Sequence, residues 1–285
     1  MIPPIREILT ALVEALHVGE IARSSAYLIA LLCALFPVLY FLERRGGADA
    51  SRYRSPGFRT DLIYTFIYRG GFFGLLIFAP LASILDANLS AHFARPSLPQ
   101  PLAILLSILV TDFVAYWTHR LQHAVPALWA FHSVHHSQKR LTFLTISRVH
   151  PLDFLLVSLT MYLPMFVCGV PSALWYPLAL LRTFHEFCLH AELDWRFGPL
   201  FGVITSPTFH AVHHSSAATS YVRNLGGLFA FWDRLFGTVA ETRSRPGEYG
   251  VEGMEIPETI TGQLAAPFRL LLNAWAGPRA GRGGA

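Results

Sequence analysis

Histidine is the residue in this sequence whose number and spacing could do chemistry. Of 13 histidines, 11 fall between residues 119 and 214. Three groups recur at helical spacing: His119 and His123 as HxxxH, His132, His135 and His136 as HxxHH, and His210, His213 and His214 as a second HxxHH. On a helix, positions i, i+3 and i+4 share a face. HxxxH therefore aims two imidazoles at one point, and HxxHH aims up to three. Neutral imidazole suits iron, zinc and copper. Eight such rings are too many for one tetrahedral site and fit two metals. A single buried histidine is ordinarily a hydrogen-bonded core residue, but three clusters beside apolar runs would leave many polar rings expensively unpaired without a cation. His185 and His190 are weaker candidates, because i, i+5 leaves one helical face. HEFCLH lacks the i, i+4 pair of a zinc protease, and the ExxH signature of soluble di-iron bundles is missing. His17 and His92 lie outside the clusters and read as ordinary histidines.

The elements that position these rings belong to a membrane protein. The 285 residues are 53% hydrophobic and 14% charged, with mean hydropathy +0.43. A soluble domain carries roughly 25% charged residues. Charge-free runs cover Ser24 to Leu42, Gly70 to Leu85 (extending back through 62–68 past Arg69) and Pro96 to Thr111, the last continuing past Asp112. The longest, Phe154 to Leu181, is too long for one upright helix and too short for two full spans. With Pro164, Gly169, Pro171 and Pro177 inside it, it reads as a hairpin or a broken pair of helices. Arg44, Arg45, Arg52, Arg54 and Arg59 follow the first run, and Arg120, Lys139, Arg140 and Arg148 follow the third. The positive-inside rule places both stretches, and the histidines with them, on the cytoplasmic side. The expected fold is an all-α integral membrane protein. It has about four transmembrane helices, one of them hairpin-like, and a cytoplasmic helical cap that carries a histidine-rich di-metal site. Residues 1–100 hold an N-terminal amphipathic helix and the first two spans, 101–240 the catalytic domain, and 241–285 a polar tail that frays at its end.

The remaining charge and sulfur narrow the class. A net charge of +4 is small and scattered, which argues against nucleic acid and leaves anionic lipid as the natural partner. Cys33, Cys168 and Cys188 are far apart, with no CxxC, and read as reduced thiols. No cleaved signal peptide is evident at the start. Asp112 lies seven residues before His119, on the same helical face, and is a candidate partner for a metal-bound ring. A salt bridge to a nearby arginine is its other reading. Asp153 and Asp233 are similar candidates. His150, preceding Pro151, is disfavoured as a ligand, and Tyr116 and Trp117 read as interface anchors. Dinucleotide and P-loop fingerprints are absent.

The run DFVAYWTHRLQHAVPALWAFHSVHHSQKRLTFLTISRVHPLD, with HAELDWRFGPLFGVITSPTFHAVHHSS and FWDRLFGT after it, resembles the sterol desaturase/fatty acid hydroxylase superfamily across roughly residues 112–238. The resemblance implies a membrane enzyme that holds two Fe ions and uses O2 to hydroxylate or desaturate a lipid. It implies His119, His123, His132, His135, His136, His210, His213 and His214 as ligands, with His190, in HAEL, and His185 as further ones. Relatives often read HAN and NYG where this chain has His190-Ala191-Glu192 and Asn224-Leu225-Gly226. No haem-binding HPGG is present, so electrons come from an external donor such as a ferredoxin or a cytochrome with its reductase. Two other readings stay open: a histidine-rich membrane metal transporter or storage protein, and a zinc-dependent membrane hydrolase. Zinc in the isolated protein fits the same rings.

Overall fold

The computed structural model describes residues 18–171, 174–240 and 244–276. His17, the amphipathic start and the last residues, expected to fray, lie outside the described residues. Among the described residues the elements are helical, joined by a few isolated β-bridges.

The first charge-free run lies inside α1 (Val18–Arg45), whose Arg44 and Arg45 sit favourably at the negative end of the helix dipole. A short 3-10 turn, Ala50–Arg54, leads to α2 (Pro56–Arg69). Ser55 caps α2 by accepting from the Phe58 amide, and Pro56 occupies its first turn. In the sequence the second apolar run extends back past Arg69 into 62–68, with Arg69 interrupting it. In the structure α2 ends there, because Gly71 takes φ +97°, a conformation that a side chain resists. Arg69 is therefore a helix-end residue rather than a charge embedded in a span. α3 (Gly74–His92) begins with a π-type turn and has no buried residue.

The third run becomes α4 (Gln100–Ala124), which passes through Asp112 without a break. Val125 is extended before Pro126, which opens α5 (Pro126–His136). A 3-10 segment, Phe143–Ser147, precedes α6 (Pro151–Val167), whose first amide is capped by the His150 ring. The fourth run is a broken pair, as one of its two readings had it. α6 stops at Gly169, with φ +70° and an approach to the Pro96 carbonyl so close that a Cβ would lie 2.3 Å from the oxygen. The second member is α7 (Trp175–His190). Then come α8 (Pro207–His213), α9 (Phe231–Leu235) and α10 (Ile260–Ala276).

α1, α3 and α4 are long and apolar enough to cross a membrane, and α6 is a shorter apolar helix. Their outward rows, such as Tyr27, Phe41, Ile84 and Leu105, are exposed, as lipid-facing residues are. α4 packs on α5 and α6, α10 on α5, and α7 on α8 and on the 143–147 segment. One apolar core joins Leu39, Phe58, Phe143, Leu144, Phe187 and Leu193, which ties α1 and α2 to the helices that carry histidine. Cys33, Cys168 and Cys188 are free.

Candidate metal centre

Four helices deliver histidine to one place. The ring nitrogens of His119, His123, His132, His136 and His213 form one group, and those of His135, His190, His210 and His214 a second. Within each group the nitrogens lie within 4.8 Å of one another. The two groups adjoin: the rings of His136 and His214, one from each, stack at 4.6 Å.

Neither HxxHH aims three rings at one point. His132 and His136 enter the first group while His135 enters the second; His210 and His214 enter the second while His213 enters the first. Helix geometry explains the split. At about 100° per residue, i+4 lies some 40° to one side of i and i+3 some 60° to the other. The i, i+4 pair stays together and the i+3 ring diverges. Two such motifs facing each other with roles exchanged, plus His119 and His123 at i, i+4, build two cages instead of one.

The nitrogens turned away from the cages are held. His119 Nδ1 donates to the Leu225 carbonyl at 2.8 Å, His213 Nδ1 to the Arg223 carbonyl at 2.9 Å, His135 Nδ1 to the Arg148 carbonyl at 3.3 Å, and His190 Nδ1 to the Glu186 carbonyl at 2.8 Å. His132 Nδ1 faces Asp153 Oδ2 at 3.0 Å, and Gln122 holds the other carboxylate oxygen. A carbonyl can only accept, so a ring that donates from Nδ1 leaves an unprotonated lone pair on Nε2. His135 and His190 both do so, yet their Nε2 atoms face each other at 3.3 Å. Two lone pairs at that separation repel unless a cation lies between them. In the first group, Nε2 of His132, His136 and His213 is buried without a partner, as are both nitrogens of His123. Such orphans are costly in a protein interior. Burial holds the His135, His136, His210 and His214 rings far below the ordinary imidazole value, and takes His213 down to about 3. The rings are neutral near pH 7, the form that binds metal. Each group fits a metal ion.

The other candidates fall around the cages. His185 stands outside both groups, with Nε2 at 3.1 Å from the Thr205 carbonyl. Its position five residues before His190 turns it to another face of α7. Among the described residues, Asp112 hydrogen-bonds to groups other than histidine. It accepts from the Leu228 and Phe229 amides at 2.8 and 2.9 Å and from Trp232 Nε1 at 3.1 Å, and it lies 3.7 Å from Arg182. Asp233 accepts from the amides of Leu225 and Gly226. Together the two carboxylates pin residues 225–229, and with them the carbonyl that orients His119. Asn224, at φ +54°, ties the same loop to the Phe209 carbonyl. His150 caps α6, and exposed His92 lies against the Asn88 carbonyl of its own helix. Tyr116 is fully buried against Thr238 rather than at an interface, whereas Trp117 is partly exposed.

Some contributors carry no readable signal, above all the four carbonyls. The buried Arg148–Asp61 pair, 2.6 Å apart and joined by Gln138, fixes the backbone that holds His135. Arg182 and Glu186 were legible as an i, i+4 ion pair at the edge of the apolar run.

A cavity of about 130 Å³ reaches His119, His132, His135, His190 and His210. Its other walls include Ala115, Ile146, Phe154 and Leu189, with Arg69, Arg182 and Glu186. A second cavity, about 330 Å³, shares those three charged residues and runs on past Phe73, Phe78, Met161 and Met165.

The sequence model of the fatty acid hydroxylase family matches residues 104–238. Ornithine lipid hydroxylase OlsE of Rhizobium tropici is 27% identical over 253 residues, covering 86% of this chain and 73% of that protein. Human (Homo sapiens) alkylglycerol monooxygenase is 30% identical over 174 residues, 60% of this chain and 38% of that one. Methylsterol monooxygenase 2-2 of Arabidopsis thaliana is 30% identical over 158 residues, 53% of this chain and 58% of that one. The chain thus spans well under two thirds of the last two. No solved structure matches it.

Proposed function

We propose, from this chain's place in the sterol desaturase/fatty acid hydroxylase superfamily, that it is a membrane-bound di-iron enzyme that uses O2 to hydroxylate a lipid. The relatives are hydroxylases and monooxygenases of lipids, which supports a lipid-oxidising membrane enzyme. The observation that carries the reading is the pair of adjoining histidine groups, with unpaired inward nitrogens, at the wall of a cavity that shares part of its lining with a second, apolar-walled one.

The first iron would be held by His119, His123, His132, His136 and His213, and the second by His135, His190, His210 and His214. Bound iron supplies the activation of O2 that attack on an unactivated C–H bond requires. The balanced reaction is RH + O2 + 2 e⁻ + 2 H⁺ → ROH + H2O, with electrons from an external donor such as a ferredoxin or a cytochrome. The protein's part is positional. Asp153, Gln122 and the four carbonyls set the ring tautomers and angles. Neutral ligands leave the site's positive charge uncompensated. Burial excludes bulk water, and the apolar walls of the cavity aim one carbon at the rings. The basic residues that follow the first and third apolar runs support placing the histidine side of the molecule in the cytoplasm. Ornithine lipid is the first substrate to try, because that relative aligns with most of the chain.

The test is anaerobic loading with Fe(II), followed by O2, a reductant and a lipid extract, with products read by mass spectrometry. A gain of one oxygen atom is expected. Loss of two hydrogens would reassign the enzyme as a desaturase. No oxidised lipid from iron-loaded, reduced protein would overturn the oxygenase reading and revive the zinc hydrolase. Transport or storage is disfavoured, since the rings gather in two closed groups instead of lining a pore.

A further inference from the structure

We infer that electrons enter through a face formed by Arg120, Trp129, Tyr221 and Arg223, and that this face docks an acidic one-electron carrier protein. The inference rests on the oxygenase reading and deepens it, because it assigns the place where the external donor delivers to the first histidine group.

Electron tunnelling falls off exponentially with distance, so a docked carrier must reach a ligand ring through closely packed atoms. The two groups differ in this respect. All four histidines of the second group are buried, whereas His119 and His123 of the first are only partly so. Two aromatic rings close the remaining gap. The Trp129 ring lies 5.0 Å from the His123 ring and 5.5 Å from the His136 ring, centroid to centroid. The Tyr221 ring lies 5.9 Å from that of Trp129. Trp129 and Tyr221 are both half-buried, so a line of rings runs from two ligands of the first group to the surface. A backbone link ends on the same face. Of the four carbonyls that hold ligand rings, that of Arg223, which accepts from His213 Nδ1, belongs to an exposed residue. The other three belong to buried or half-buried ones.

Charge selects the carrier. Arg120 on α4 and Arg223 in the loop after α8 converge on neighbouring carbonyls: Arg120 donates to Phe236 at 3.5 Å and Arg223 to Gly237 at 3.1 Å. Among the described residues, neither guanidinium is in an ion pair. Carbonyl partners leave their positive charge uncancelled at the surface. Glu252 borders Tyr221, its amide donating to the hydroxyl at 2.9 Å, and exposed Lys139, beside Gly250, offsets that acid. Val125 and Val222, 38% and 39% exposed, add apolar contact. Val125 accepts from the Trp129 amide, and Val222 lies between Tyr221 and Arg223. A small patch with aromatic rings at its centre and like charges beside them suits a transient electron-transfer encounter, which is brief and steered by opposite charge. Anionic lipid heads would also meet the arginines, but they would leave the line of rings without a role. Each encounter oxidises one carrier by one electron and reduces iron held by the first group. Two encounters supply the two electrons that hydroxylation consumes.

The test uses the full-length protein in nonionic detergent and two one-electron carriers of opposite charge. One is a plant-type [2Fe–2S] ferredoxin, which is acidic, and the other a mitochondrial-type cytochrome c, which is basic. Binding to the metal-free protein is measured by surface plasmon resonance. Ferredoxin should bind at low salt and lose affinity as salt is added, and cytochrome c should not bind. Arg120→Gln combined with Arg223→Gln should weaken ferredoxin binding by roughly tenfold. Stopped flow under nitrogen then follows the oxidation of reduced ferredoxin by ferric, iron-loaded protein, without O2 or lipid. Trp129→Leu should slow this step several-fold at saturating ferredoxin, with Kd and metal content unchanged, and Trp129→Phe should restore most of the rate. If Trp129→Leu loses metal, Tyr221→Leu, whose ring meets Trp129 and no ligand, should slow the step in its place. Equal binding of the two carriers, binding indifferent to the arginines, or a rate indifferent to both rings overturns the inference. If the double arginine variant keeps ferredoxin and loses only co-purified phosphatidylglycerol, the face is a lipid contact and the inference falls. Iron that dithionite reduces but ferredoxin does not overturns the entry face and leaves the oxygenase reading standing. Iron that dithionite cannot reduce overturns both.

Discussion

At the scale of single residues, what separates a ligand from a bystander is where each ring's second nitrogen goes. His190 donates from Nδ1 to a carbonyl and offers Nε2 to three other rings' group, whereas His185 spends Nε2 on Thr205. His185→Ala is expected to keep the metal content of the unaltered protein, and His190→Ala to lose affinity at the second group only. Metal analysis after dialysis against a graded chelator checks both. Asp153 acts through His132: its carboxylate holds the ring at Nδ1. Asp153→Asn is expected to weaken metal at the first group by roughly 10–100-fold, the usual effect of removing such a partner, in a competition titration. An unchanged titration would remove Asp153 from the site.

At the scale of elements, the cages depend on where helices stop. α6 must end at Gly169 so that α7 can turn back and bring His190 to the rings from α5 and α8. Gly169→Ala is expected to destabilise the protein by more than about 1 kcal/mol, because a Cβ meets both an unfavourable φ and the Pro96 carbonyl. A lower unfolding midpoint in detergent would show it. The Arg148–Asp61 pair joins α2 to the segment before α6, with both side chains almost wholly buried. Arg148→Met strands a buried carboxylate, a change worth roughly 3–5 kcal/mol. It is expected to lower the midpoint further and loosen the second metal group, since the Arg148 backbone carbonyl orients His135.

At the scale of the whole molecule, gathering nine histidine rings in one interior makes the metal-free protein sensitive to acid. Burial depresses His135, His136, His210, His213 and His214, so the unfolded chain binds protons that the folded one refuses. Stability from each ring is complete above the unfolded value of 6.5 and is lost as pH falls toward the folded value, about 3 for His213. The slope is about 1.4 kcal/mol per pH unit for each ring. The metal-free protein is expected to melt at progressively lower temperature from pH 6.5 downward. Metal-loaded protein should resist over the upper part of that range, because bound metal stabilises only the folded state. Parallel melting curves with and without metal measure the difference.

Local chemistry wrote much of this into the chain. Histidine at i, i+4, long charge-free runs, and Pro and Gly at the breaks are properties of neighbouring residues. They were enough to expect helices, a membrane setting and clustered metal ligands. Which rings share a cage was not legible, because it depends on how α4, α5, α7 and α8 are rotated against one another. Asp112 and Asp153 were both legible as candidate partners of a ring, but which of them meets one was not, for the same reason. Both are acids near histidines in sequence, but only packing sends Asp153 to a ring and Asp112 to a loop 116 residues away. The carbonyls that hold the rings belong to every residue alike, so composition cannot mark them. Tertiary structure alone brought the charged residues of the cavity wall together, since Arg69 and Glu186 come from separate helices and meet only when α2 and α7 close on the cavity.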